Sequence, residues 1–320
     1  MKFTFIMPAY NAENTIEKAV RSIMGQTYND IQILIIDDGS QDRTLDIIKS
    51  LAQEDSRIEY YHKENGGIGS AFILAFKKIV GDYCFLVDSD DYIDNNLAED
   101  IKHTIDSTNA DIVQYGLKRY DENGNKLSSV TFPSKELSGT DVVLKDYFYG
   151  CSRGENFPGL STRAVRSSFY MDFDYYSSSL SIDEVLAVHV LSKTNKIVFL
   201  NKEYYNVVMY QSSVSRAPVT SQKVVGQFKG LSLIPNIVSK FDKEIQTLAA
   251  IKLLSFIANF YIYFVDGYGR RFTNIKVKEL YALYHSNINL VNVPLKTKFT
   301  LFSLRYIPII NLLKNKINHI

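Results

Sequence analysis

Two apolar runs end in acidic clusters, and this placement constrains the fold more than any other feature of the chain. Ile31 to Ile36 runs into Asp37-Asp38-Gly39-Ser40, and Tyr83 to Val87 runs into Asp88-Ser89-Asp90-Asp91. A short apolar run bounded by polar turn residues reads as a buried strand of a parallel sheet. Open α/β sheets bind ligands in the crevice beyond the carboxyl ends of their strands, so both clusters are expected to line one cleft. Two carboxylates about 4 Å apart repel by roughly 4 kcal/mol at an effective dielectric near 20. Gathering Asp88, Asp90 and Asp91 around one cleft is easiest when a cation binds there, and such oxygen ligands suit Mg²⁺ or Mn²⁺.

The flanking segments alternate strand with helix. After a first strand at Phe3 to Met7, the segment Asn11 to Gly25 places Ile16, Ala19, Val20 and Ile23 on one helical face, with Asn11 available as a cap. Ser40 can cap a second helix carrying Leu45, Ile48 and Leu51, and Ile58 to Tyr61 reads as a third strand. Asn65-Gly66-Gly67 forms a loop before a helix with Ala71, Leu74, Ala75 and Phe76. A helix around Leu97 to Ile105 and a strand at Asp111 to Tyr115 follow, and Asp121-Glu122-Asn123-Gly124 signals a hairpin. This alternation predicts a doubly wound, mostly parallel sheet flanked by helices.

From there the pattern loosens. Residues 125 to 180 are rich in Ser, Tyr and Gly, which suits an acceptor-side region; Ile182 to Leu191 reads as a helix and Lys196 to Leu200 as a closing strand. Beyond about residue 220 the chain turns helical. The expected organisation is a domain over 1–220, made of a ligand-binding part (1–115) and an acceptor-side part (116–220), and a helical C-terminal region over 221–320. Thr247 to Val265 is mostly apolar, but Lys252 and Asn259 interrupt it, as a membrane-spanning helix would not. Lys296 to Lys316 mixes apolar and aromatic residues with five basic ones. Such a segment can lie on an anionic membrane surface, pack on the domain or form a homodimer contact, and the composition leaves these open.

The net charge of +1 gives no global reason to expect nucleic acid as a partner. Cys84 and Cys151 make neither a disulfide framework nor a metal-ligand spacing, which favours a reducing compartment. Pro8 stops the first apolar run short of a signal-peptide core. A cytoplasmic protein is expected, or one peripheral on the inner face of the membrane.

The order of pieces is Met7-Pro8-Ala9-Tyr10-Asn11, Ile36-Asp37-Asp38-Gly39-Ser40-Gln41-Asp42-Arg43-Thr44, Asn65-Gly66-Gly67 and Phe85-Leu86-Val87-Asp88-Ser89-Asp90-Asp91. This resembles family 2 glycosyltransferases of the GT-A fold, well over the first 115 residues and more weakly to about Arg216. The resemblance implies that Pro8, Ala9 and Tyr10 wall the uracil and ribose, with Glu13 nearby, and that Asp38 accepts the uracil N3 hydrogen while Asp37 supports the turn. Gly67 fits a close backbone approach or a positive φ, with Asn65 beside it. Asp88, Ser89 and Asp90 match the DXD element, with Asp90 on the metal and Asp88 toward ribose or sugar. Asp91 is left between supporting that site and capping the next helix.

The family's catalytic base comes from an acidic pair, usually Glu-Asp, at a helix start. Here the pair is Asp183-Glu184, in reversed order. Position assigns the base to Glu184, the expected base, and side-chain length would assign it to Asp183; adjacent helix residues point about 100° apart, so one normally serves. The family's Arg-Asn on the helix after the Gly-rich loop is Phe72-Ile73 here, and two further Arg positions hold Val208 and Tyr210. Arg163, Arg166 and Arg216 remain as candidate phosphate-binding cations.

The resemblance thus implies an inverting, Mn²⁺- or Mg²⁺-dependent transfer of a hexosyl or N-acetylhexosaminyl group from a UDP-sugar. The acceptor is a hydroxyl of a glycan or lipid-linked molecule, in bacterial cell-surface polysaccharide synthesis. The missing arginines motivate an alternative, a degenerate nucleotide-sugar-binding partner subunit. A nucleotidyltransferase would need a Gly-rich basic loop after strand one, and a dinucleotide-binding oxidoreductase a G-x-G-x-x-G; neither is present.

Overall fold

The structure is a computed structural model, and it describes residues 1–153, 159–173, 182–210, 220–259 and 285–292. The chain divides into two units: Met1–Val143 with Pro158–Pro218, and Leu144–Phe157 with Val219–Ile320.

The first unit opens with β1 (Phe3–Ala9), α1 (Ile16–Met24), β2 (Ile31–Asp37), α2 (Thr44–Glu54), β3 (Ile58–His62), α3 (Ile68–Phe76) and β4 (Tyr83–Leu86). β2 is buried at every position because helices cover both faces of a parallel sheet, which explains its unbroken apolar run. Ile16, Ala19, Val20 and Ile23 bury one face of α1, as their spacing predicts. The helix begins later than expected: Asn11 is in the left-handed region at φ 48°. It spends its side chain elsewhere, accepting the Gln41 N–H at 2.8 Å while its own N–H donates to Ser40 Oγ at 3.0 Å. Ser40 likewise caps no helix. Its hydroxyl donates to Asp37 Oδ1 at 2.5 Å, and Asp42 receives the Thr44 N–H at the start of α2.

β5 (Tyr92–Ile93), α4 (Leu97–Thr108), β6 (Ile112–Tyr120), β7 (Lys126–Val130), β8 (Lys135–Ser138), α5 (Thr140–Arg153), β9 (Arg163–Arg166), α6 (Ile182–Leu191) and β10 (Lys196–Val208) follow. The sheet order is β3-β2-β1-β4-β9-β6-β10-β5, with β7 on β6 and β8 on β10. The sheet is parallel from β3 through β4, and beyond β4 it is mixed: β9 runs antiparallel to both β4 and β6, while β6 and β10 are parallel. β9 lies in the loosely patterned middle region. At four residues, beginning and ending in Arg, it carries too little apolar periodicity to be read as a central strand. The hairpin expected at Asp121–Gly124 joins β6 to β7, with Gly124 at φ 84°.

Parallel registers align the strand ends that matter. Pro8 pairs with Ile36 and Ala9 with Asp37, while Ile6 pairs with Leu86. The Asp38 N–H donates to the Ala9 carbonyl at 2.8 Å and the Val87 N–H to the Ile6 carbonyl at 2.9 Å. Pro8-Ala9-Tyr10 and both acidic clusters therefore emerge at one edge of the sheet.

The second unit contains the C-terminal part of α5, then α7 (Ser221–Leu231), α8 (Ile234–Ile237) and α9 (Lys243–Asn259). The expected first domain included Leu144–Phe157, but Lys145 pairs with Asp242 and Glu244, and the Tyr149 hydroxyl donates to Glu244 at 2.7 Å. Those bonds tie the segment to the second unit. α9 starts four residues before the expected Thr247, and Ile245, Leu248 and Leu254 are buried. Among the described residues no helix is long and apolar enough to cross a membrane. The end of the apolar stretch at Val265 and the basic segment Lys296 to Lys316 lie outside the described residues.

Candidate active site

A cleft of about 690 Å³ opens at the shared edge of β1, β2 and β4. Pro8, Ala9 and Tyr10 form one wall, continued by Asn11, Ala12, Asn14 and Thr15. Asp38 lies at its side, Asn65, Gly67, Ile68 and Ala71 face it from the loop and first turns of α3, and Asp88, Ser89, Asp90 and Tyr210 close it. Tyr10 is half exposed. Gly67 sits at φ 81°, a conformation that favours glycine.

Asp38 and Asp37 divide their work. Asp37 is fully buried and receives the Ser40 hydroxyl on Oδ1 and His62 Nδ1 on Oδ2, each at 2.5 Å, so it supports the turn. Asp38 receives Lys63 Nζ at 2.6 Å and the Gly66 N–H at 3.0 Å, both on Oδ1. Among the described residues no hydrogen bond reaches its Oδ2. Glu13 does not line the cleft: its carboxylate receives the Arg43 N–H at 3.1 Å and the Arg43 guanidinium at 3.4 Å.

The second acidic cluster is electrostatically crowded. Burial raises the Asp88 carboxyl above the usual carboxylate range, and the Asp90 charge raises it further, against hydrogen bonds from Tyr205 and Ser161. Burial also raises Asp90. Asp91 is raised by burial, then by Asp88 and Asp90. Asp91 caps no helix: α4 begins only at Leu97, and Asp91 Oδ1 instead receives the Val208 N–H from β10 at 2.9 Å. This all-oxygen, mutually repelling donor set fits a hard divalent cation. Among the described residues no three His, Cys, Asp or Glu side chains already converge to hold a metal.

The acidic pair opens α6. Asp183 keeps solvent access, yet its carboxyl is pushed up to about 7 by desolvation, then by the charges of Asp88 and Glu184. The structure thus brings Asp183 within electrostatic reach of Asp88. Glu184 follows it, also exposed.

Residues 4–161 match the profile of glycosyl transferase family 2. Over this segment, just under half of its length, the chain is similar to glycosyl transferase family 2. Over 219 residues it is 28% identical to glycosyltransferase GlyA of Streptococcus pneumoniae, covering 67% of this chain and 32% of that protein. To glycosyltransferase GlyG of the same organism it is 26% identical over 245 residues, covering 75% and 78%. The chain thus spans about a third of GlyA and most of GlyG. The crystal structure of S. aureus TarS 1–349 in complex with UDP-GlcNAc superposes with a TM-score of 0.68 at 22% identity, covering 96% of this chain and 87% of that one. The fold is GT-A.

Within this domain, the positions that lack the usual arginines have other occupants. Phe72 is buried and stacks on Phe76 at 5.7 Å; Phe76 stacks on Tyr170 at 4.7 Å, and Phe173 joins Phe76 to His189 of α6. An aromatic column therefore replaces a cation beside the cleft. Arg163 is 1% exposed and its Nε donates to Gln114 at 2.6 Å, while Arg166 pairs with Asp111 at 2.9 Å and lies over the Tyr83 ring. Burial and pairing hold both away from the cleft, and Arg216 lies outside the described residues. No Lys or Arg among the described residues lines the cleft.

Sequence reasoning did not assign Asn14, Thr15 or Ile68 to this cleft, nor Tyr205, which is buried and hydrogen-bonded to Asp88. Proximity to Pro8-Ala9-Tyr10 and to Gly67 was the available signal for the first three. Tyr205 had none beyond its place in an aromatic segment.

Proposed function

We propose that this protein is an inverting, metal-dependent glycosyltransferase that moves a hexosyl or N-acetylhexosaminyl group from a UDP-sugar to a hydroxyl of a glycan or lipid-linked acceptor. The setting is bacterial cell-surface polysaccharide synthesis, at the inner face of the membrane. The observation that carries the reading is that Asp38 and the acidic pair Asp88 and Asp90 line one cleft. The UDP-GlcNAc complex of TarS and the bacterial glycosyltransferase relatives support it.

Asp38 receives the N3–H of uracil, and Tyr10 and Ala9 face the base and ribose. Asp88 and Asp90 face the diphosphate and sugar, and Asp90 holds Mn²⁺ or Mg²⁺. Bound there, the ion would offset the charge that gathers on departing UDP. Asp183, in place of the expected Glu184, takes the proton from the acceptor hydroxyl, a choice supported by the Asp88 charge acting on its carboxyl; a general base must lie within hydrogen-bond reach of that proton.

The test is the melting temperature against UDP-, GDP- and CDP-sugars, each with and without Mn²⁺, for wild type and Asp90→Ala. A ligand at 100 times its dissociation constant stabilises by about 2.7 kcal/mol. A rise with one UDP-sugar and Mn²⁺, lost in the variant, supports the reading. The cleft's lack of a cationic wall among the described residues favours a second reading, the degenerate partner subunit. It takes first place if no nucleotide sugar shifts the melting temperature, or if one binds and is never turned over.

A further inference from the structure

Lys63 follows β3 and stands on no sequence motif; it does not line the cleft, yet it pairs with Asp38, which does. Its ammonium carries three donors, and all are spent within the loop. They go to Asp38 Oδ1 at 2.6 Å, Ser70 Oγ at 2.9 Å and the Glu64 carbonyl. The Gly66 N–H adds a second bond to the same Oδ1 at 3.0 Å. The Asp38 side chain is 5% exposed and that of Lys63 24%, so the pair is largely withdrawn from water. The consequence is asymmetry: one carboxylate oxygen of this cleft-lining residue takes every bond from the protein, and the other takes none among the described residues.

We infer that Lys63 is a specificity-determining positioning residue, which anchors Asp38 through one oxygen so that the other accepts from the base and the cleft takes uridine and rejects cytidine nucleotides. This rests on the reading of Asp38 as the base-contacting carboxylate. An ionised carboxylate only accepts hydrogen bonds. Uracil offers N3–H at its pairing edge, whereas cytosine offers an unprotonated, accepting N3 that a carboxylate repels. Lys63 anchors the Oδ1 side of Asp38 and, having no donor left, does not itself reach for the base.

The experiment is calorimetric binding of UDP and of CDP, at fixed Mn²⁺, to the full chain as wild type, Lys63→Met and Lys63→Arg. Circular dichroism and the ligand-free melting temperature check each fold. Wild type is expected to prefer UDP. Lys63→Met should weaken UDP and narrow the UDP-to-CDP ratio on the order of tenfold, the scale of one charged hydrogen bond, and Lys63→Arg should restore much of the ratio. An unchanged ratio in folded Lys63→Met overturns the inference. An equal loss of both nucleotides also overturns it and assigns Lys63 to loop structure alone. Wild type binding both equally removes the selectivity while leaving the transferase reading intact, and wild type binding neither overturns both.

Discussion

The Tyr205 hydroxyl accepts the Asp88 backbone N–H at 3.0 Å and donates to the Asp88 carboxylate at 3.2 Å, joining residues 117 positions apart. The ring is 1% exposed, and its strand β10 pairs antiparallel with β5, directly beyond the acidic turn. One phenol thus fixes both the backbone and the side chain of Asp88. Tyr205→Phe leaves that N–H without its acceptor in a dry site, so a loss of roughly 1–3 kcal/mol is expected in urea unfolding. Weaker Mn²⁺–UDP binding should accompany it; unchanged stability and binding would show that the bond does not organise the turn.

Asp90→Ala should abolish metal-dependent transfer without unfolding the protein. The Asp90 charge raises both Asp88 and Asp91, so removing it relieves repulsion. The melting temperature without metal is expected to stay level or rise, while the increase on adding Mn²⁺ and UDP disappears. A variant that melts much lower without metal would contradict this.

Asp183 supplies a pH signature. Its folded carboxyl is raised to about 7 against about 3.9 in an unfolded chain, so between those values the native state holds the extra proton. Stability from this group therefore falls as pH rises through that window. Asp183→Asn should gain stability relative to wild type between pH 5 and pH 8. A base must be deprotonated to act, so wild-type kcat/KM should climb through neutral pH. Asp183→Asn should lose transfer at least a hundredfold with UDP affinity retained. Loss confined instead to Glu184→Gln would move the base one residue along.

Arg166→Ala separates scaffold from phosphate binding. The Asp111 partner of Arg166 also receives the Asn195 and Lys196 N–H groups on its other oxygen. The substitution is expected to cost roughly 1–2 kcal/mol of stability and to leave the UDP dissociation constant unchanged. A large loss of UDP affinity in a folded variant would return Arg166 to the site.

Legibility in the sequence followed the range of the interactions. α6 appears from Ile182 to Leu191, as its apolar spacing predicts, and β2 needs only one residue added to its apolar run. Asn11 and Ser40 were misjudged as caps because each has a local partner in principle and a better tertiary one in fact. β9 was invisible because a short central strand is recognised by its neighbours β4 and β6 rather than by its own four residues.

The alternation of strands and helices, the acidic ends of β2 and β4 and, through them, the location of the cleft are all written in local sequence. Periodicity and turn chemistry are local, and parallel pairing then brings equivalent strand ends to one edge. Which way individual polar groups point is settled by long-range packing instead. Asp91 turns to Val208, Arg163 to Gln114 and Glu13 to Arg43, while Asp38 gives one oxygen to Lys63. A buried polar side chain goes where a partner satisfies it, and across a sheet assembled from distant segments that partner is set by register, not by sequence neighbours.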